Sequence, residues 1–186
     1  HLKTERIQKI QARKKRTKIK YMKRPIAGEA PEYFFKYINL TEGGSIAEII
    51  KNHSEKLNHF FNSIPVEKAG YAYATGKWNV KQVLQHLIDT ERVFVYRALC
   101  FARIQAAPLP GMDENAFAEN AKLDGRSLEQ IKEDLLVLRK STDLFLLSLC
   151  ENDLEKKGKA SDYEITVNAL AYIILGHLIH HKKILE

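Results

Sequence analysis

The stretch Val167-Asn168-Ala169-Leu170-Ala171-Tyr172-Ile173-Ile174-Leu175-Gly176-His177-Leu178-Ile179-His180-His181 decides how this chain is read. Val167, Leu170, Ile174, His177, His181 and Ile184 recur at alternating steps of three and four, the period of one face of an α-helix. Residues four apart stack on such a face, so His177 and His181 project inward, within joint reach of one ion. A buried imidazole costs free energy unless it is paired, and two on adjacent turns of an aliphatic seam call for a shared partner. A divalent metal is the simplest one. A third histidine, His86, stands at the centre of an earlier apolar segment and can converge on the pair.

Three further segments carry the helical period. Ile46, Ile50, His53, Leu57, Phe60 and Ile64 predict a first helix from about Ser45 to Ile64, ended by Pro65. The second begins near Asn79 as N-cap and runs through Val83, His86, Val93, Tyr96 and Cys100 to about Ile104. Its wide apolar arc, with Leu84, Leu87, Ile88, Phe94 and Leu99, suits a central position. Pro108 and Pro110-Gly111 then open a long loop to Gly125. Ser127 and Gln130 stand at capping-box spacing before a third helix, whose inward residues Leu128, Ile131, Leu135, Leu138, Thr142, Phe145 and Leu149 reach about Cys150. Glu151 to Ile165 reads as a polar loop, and Thr166 caps the fourth helix. Four amphipathic helices without strand-like alternation predict an all-α four-helix bundle over residues 45–186. The loop between helices two and three is too long for a simple turn, so it either crosses the bundle or covers a site.

At 186 residues the chain supports one hydrophobic core. Its net charge of +7 lies at the front. Residues 1–21 carry nine Lys or Arg against one Glu, and the remainder is within one charge of neutral. This basic extension reads as an appended or upstream segment before a start at Met22, or as a native arm, most simply a solvated helix or disordered tail and otherwise able to touch phosphates by charge alone. A nucleic-acid partner is not expected, and residues 22–44 read as a lead-in. No apolar run approaches the roughly 20 residues that span a bilayer, and no signal peptide is recognisable, so a cytoplasmic, membrane-free protein is expected. Cys100 and Cys150 lack metal-ligand or disulfide spacing and read as small buried hydrophobes.

A shell of His86, His177 and His181 would leave an open position, as catalytic zinc sites do, although imidazole equally suits nickel, copper or iron. From spacing alone, a metal site and packed core histidines satisfied by backbone carbonyls both remain open. His180 lies beside the seam, His53 is inward on the first helix as a possible fourth ligand, proton shuttle or packed ring, and His59 has a weaker claim. Asp89, one turn beyond His86, can orient a ligand ring or face an Arg. No Gly-rich phosphate loop and no Gly-x-Ser-x-Gly elbow is present. Tyr33, Phe34, Phe35 and Tyr37 cluster beside Lys36 and read as packing against the bundle.

Lys77-Trp78-Asn79-Val80-Lys81, His86-Leu87-Ile88-Asp89-Thr90-Glu91-Arg92, Pro110-Gly111-Met112-Asp113-Glu114 and Gly176-His177-Leu178-Ile179-His180-His181 together resemble the DinB-like superfamily of metal-binding four-helix bundles. The likeness covers about residues 45–186 in order, spacing and loop motif. It implies a metal triad of His86, His177 and His181. It further implies a transferase using a low-molecular-weight thiol such as bacillithiol or mycothiol, with isomerases and hydrolases as sister activities.

The leading expectation is a metal-dependent enzyme in which a divalent ion, zinc first and nickel, iron or manganese as alternatives, activates a thiol or water for attack on a small-molecule substrate. A hydrolase would use Asp89, Asp113 or Glu114 as base. The alternative is a non-enzymatic metal-binding or interaction bundle whose shell is closed by His53 or His180. Helical packing of this kind suits a homodimer.

Overall fold

The computed structural model describes residues 23–104 and 108–186, so the basic extension at 1–21 and the start at Met22 lie outside the described residues. The described chain forms α1 (Phe35–Ile38), α2 (Ile46–Ser63), α3 (Val80–Ile104), α4 (Glu114–Asn120), α5 (Leu128–Leu147), α6 (Glu151–Leu154), an antiparallel hairpin of β1 (Lys157–Ala160) and β2 (Tyr163–Thr166), and α7 (Val167–Leu185).

Each long helix starts where a side chain satisfies the first free N–H groups. Ser45 Oγ accepts from Glu48 N at 3.3 Å, while Glu48 reaches back to Gly44 N. Asn79 Oδ1 accepts from Gln82 N at 3.0 Å, and Gln82 Oε1 from Asn79 N at 2.9 Å. Ser127 and Gln130 make the reciprocal capping box, and Thr166 Oγ1 accepts from Ala169 N. The long helices α2, α3, α5 and α7 form the bundle. Helix α7 packs on α2 and α3, and α5 packs on the same two, so α2 and α3 occupy opposite corners. Among the described residues no helix is long and apolar enough to cross a membrane.

The expected stripe on the fourth helix proves to be a full cylinder. Every residue of α7 from Val167 to Ile179 is buried, while Ile184 at the predicted seam is exposed. The lead-in is the reason: Phe34, Tyr37 and Ile38 cover the side that a bare bundle would leave to water. A side chain at Gly176 would overlap the carbonyl of Tyr37, so glycine is what lets α1 press onto α7. Arg24 ties the lead-in down, donating to the carbonyls of Ile38, Thr41 and Gly43 and stacking over Tyr172. Helix α7, rather than the second helix, is therefore the most enclosed element.

Other expectations shift with it. In α2 the inward residues are Ile49 and Phe61 rather than Ile50 and Phe60, because adjacent apolar pairs leave the phase of the face open by one residue. The polar stretch after the third helix is not wholly loop. It holds α6 and the hairpin, turned at Ser161 with φ 57°. Gly158, within that stretch, makes room for the ring of Phe101 against β1. Cys150 is exposed at the head of α6, not a buried hydrophobe, because α5 already ends at Leu147.

Between α3 and α5 lies a buried ion pair. Arg139, with no exposed surface, donates from Nη1 to Glu91 at 2.7 Å and also pairs with Asp143. Burial raises the Glu91 carboxyl, the Arg139 charge opposes that rise, and one Glu91 oxygen is left without a partner. Removing one member of such a pair strands the other charge. Arg139→Ala should therefore cost about 3–5 kcal/mol, read as a lower urea midpoint.

Candidate metal centre

Three helical positions bring three rings to one point. His86 comes from the middle of α3, and His177 and His181 from consecutive turns of α7. His177 Nε2 lies 3.2 Å from His86 Nε2 and 3.1 Å from His181 Nε2. Among the described residues, these three make the group of His, Cys, Asp or Glu side chains close enough to hold one ion.

The cluster cannot satisfy itself. Each neutral imidazole nitrogen has one in-plane lone pair or one proton, so three Nε2 atoms facing one another leave at least one unpaired. An ion roughly 2.0–2.1 Å from each nitrogen separates them by about 2.8–3.4 Å, the lower end for octahedral and the upper for tetrahedral arrangement. The observed separations fall in that range, so the donor set fits a divalent metal. With Nε2 committed, the proton sits on Nδ1, and His86 Nδ1 lies 3.3 Å from Thr90 Oγ1, which fixes that ring.

Burial keeps the rings neutral, the form that ligates. It lowers His86 to about 4 and His181 to about 3, the latter helped by the neighbouring His86. His177 is pushed well below its usual value by burial first and by the other two histidines next. The surroundings are aromatic: Trp78 lies 4.8 Å from the His86 ring, and Tyr37 and Phe94 lie 5.4 Å and 6.3 Å from His177.

Two clefts reach the triad. One of about 330 Å³ is lined by His177, Tyr37, Phe94 and Arg97 together with Asp113 and Glu114. The other, about 270 Å³, includes His181, Tyr73, Trp78 and Asn115. The first turn of α4 stands between them. It is held there through the preceding loop, where Leu109 bridges to the hairpin and Arg97 donates to the Pro110 carbonyl at 2.9 Å.

The remaining sequence candidates separate clearly. Asp113 and Glu114 reach the His177 cleft, although Asp113 Oδ1 is already engaged by Asn115 N and Ala116 N at the start of α4. Asp89 lines neither of these clefts. It accepts from Gln85 and neighbours Arg92 in the polar network with Asp134 and Arg126 of the α5 side, and Thr90 takes the place expected for it beside His86. His53 accepts from Glu42 N at 2.8 Å, so it fastens the loop before α2 and is no fourth ligand. His180 packs on Tyr37, outside the ligating group, and His59 is exposed. Sequence reasoning did not single out Thr90 or Arg97. Their signal is the spacing His86, Thr90, Phe94, Arg97, one ridge of α3.

The sequence profile described as the DinB superfamily matches residues 49–185. A solved structure, YfiT from Bacillus subtilis, described as "a probable metal-dependent hydrolase with an unusual four-helix bundle topology", superposes with a TM-score of 0.61 at 18% identity, covering 85% of this chain and 86% of that one. At that identity the likeness is one of fold. No curated protein matches the chain in sequence.

Because the folded histidines are lowered, the unfolded chain takes up protons first as the solution is acidified. Metal-stripped protein should therefore hold its stability above pH 6.5 and lose it from there downward, past about 4, where His86 titrates, to about 3, where His181 does. Urea midpoints across this range check it, and each histidine contributes a slope of about 1.4 kcal/mol per pH unit.

Proposed function

The chain belongs to the DinB superfamily, and from that premise we propose that it is a divalent-metal-dependent enzyme that activates a thiol or a water for attack on an electrophilic carbon of a small molecule. The observation that carries this reading is the convergence of three desolvated imidazoles, with His177 Nε2 3.2 Å from His86 Nε2 and 3.1 Å from His181 Nε2. His86, His177 and His181 would hold the ion, zinc by availability. A divalent ion bound there lowers the pKa of a thiol or water and polarises a substrate carbonyl.

The chain's own groups supply the rest. Thr90 orients the His86 ring, and Trp78 covers it. Phe34 and Phe94 keep the His177 cleft dry on one wall, which strengthens every charge interaction inside it. Glu114, which lines that cleft and is not the residue capping α4, would accept a proton from the nucleophile. The presence of two clefts favours transfer between two organic substrates, a thiol in one and its acceptor in the other, since water needs no cleft of its own. Simple hydrolysis is the second reading, supported by the likeness to YfiT.

Protein prepared without chelator or a metal-affinity step should carry about one ion per chain, as three neutral imidazoles imply. His177→Ala should lose it while far-ultraviolet circular dichroism stays helical; a variant that keeps its metal overturns the triad assignment. Loaded protein should then accelerate coupling of small thiols to a chlorodinitroarene. Ester hydrolysis without thiol dependence would select the second reading.

A further inference from the structure

Among the described residues Arg97 is a buried charge with no countercharge. It is 4% exposed, on α3, and it lines the same cleft as His177. The other buried arginine, Arg139, is matched by Glu91 and Asp143. Among the described residues Arg97 has no carboxylate within ion-pair distance, and of its five N–H donors one is used, toward the Pro110 carbonyl. Its unpaired donors are not sealed into the core but open to the cleft, and an anion that enters offsets the cost of the guanidinium's partial desolvation. Burial also disfavours its charged form, opposed by the Tyr163 phenol alone and by no carboxylate.

The position of Arg97 sets the shape of the partner. His86 and Arg97 are eleven residues apart on one helix ridge, so their Cα atoms are about 16 Å apart. Side chains lean toward a helix N-terminus, which tilts Arg97 back toward the triad. Phe94 lies between them, with the guanidinium 5.8 Å from its ring, and Phe34 stands against Phe94 at 6.2 Å. The wall between the charge and the triad is therefore apolar. Asp113 and Glu114 line the same cleft and weigh against a dianion. We propose that Arg97 anchors the carboxylate of an elongated monoanionic substrate, whose apolar body lies along Phe94 and Phe34 and whose reactive carbon reaches His177. The assignment of the reactive end rests on the metal-centre reading above; the carboxylate anchor does not.

The test is calorimetric titration of the full-length, metal-loaded protein with hexanoate, with hexanamide as the uncharged match and with inorganic phosphate. Wild type should bind hexanoate at least about tenfold more tightly than hexanamide, the scale of one charge-assisted contact, and phosphate should not displace it. Arg97→Gln should erase the preference and Arg97→Lys should keep part of it. His181→Ala, which dismantles the triad, should leave it intact. Equal binding of hexanoate and hexanamide by wild type overturns the proposal without any substitution, which covers the case in which Arg97→Gln releases the Pro110 loop. A preference surviving in Arg97→Gln, or lost in His181→Ala, overturns it too, and displacement by phosphate overturns the preference for a monoanion. A wild type that binds no metal but shows the Arg97-dependent preference would sink the metal reading and leave the anchor standing.

Discussion

Removing three imidazole rings from water is the constraint around which this molecule is arranged. Rings at the surface of a bundle would titrate near neutrality and lose their ligating form; these are held neutral because α7 is enclosed on every side over the turns that precede and include His177. That enclosure needs more than four helices. It needs the lead-in, whose Tyr37 carbonyl occupies the space above Gly176 and whose Tyr37 ring abuts His177. Helix α1 is thus part of the site's insulation as much as of the fold.

The loop between α3 and α5 completes the arrangement from the other side. Its chain is fixed at two points, by the strand-like pairing of Leu109 with Ala160 and by the Arg97 hydrogen bond to Pro110. Between these ties and α5 it makes the short helix α4, capped by Asp113. A segment anchored in this way divides the approach to the triad into two, and each approach meets a different histidine: His177 on one side, His181 on the other.

Much of this was legible in the amino-acid sequence because it rests on short-range rules. The caps at Ser45, Asn79, Ser127 and Thr166 involve partners three residues away, and the convergence of His177 with His181 needs only the pitch of a helix. His86 was found because a lone polar ring stood among Val83, Leu84, Leu87 and Ile88. What escaped depends on distant partners. The phase of α2 was ambiguous where Ile49-Ile50 and Phe60-Phe61 offered two equal choices. The hairpin has few apolar residues to alternate, and Gly158 declares itself only once Phe101 lies upon it. The closure of α7 by residues 34–38 crosses more than 130 positions of chain, and no local period reports it.

Arg139 was not legible: the inward stripe read from the sequence passes through Leu138 and Phe145, whereas the buried residues are Arg139 and Leu146, and nothing local names Glu91 as the partner of Arg139. The pair has a consequence for alignment along the bundle axis. Aliphatic faces are tolerant of sliding, since one leucine fits a neighbour's groove much as another does. A slip of α3 past α5 by one turn would bring Glu91 and Arg139 out of reach of each other inside the core, so the slipped arrangement is excluded. Glu91 stands five residues from His86 on the same rigid helix. The depth at which the His86 ring meets α7 is accordingly gauged by a charge pair on the opposite wall of the bundle.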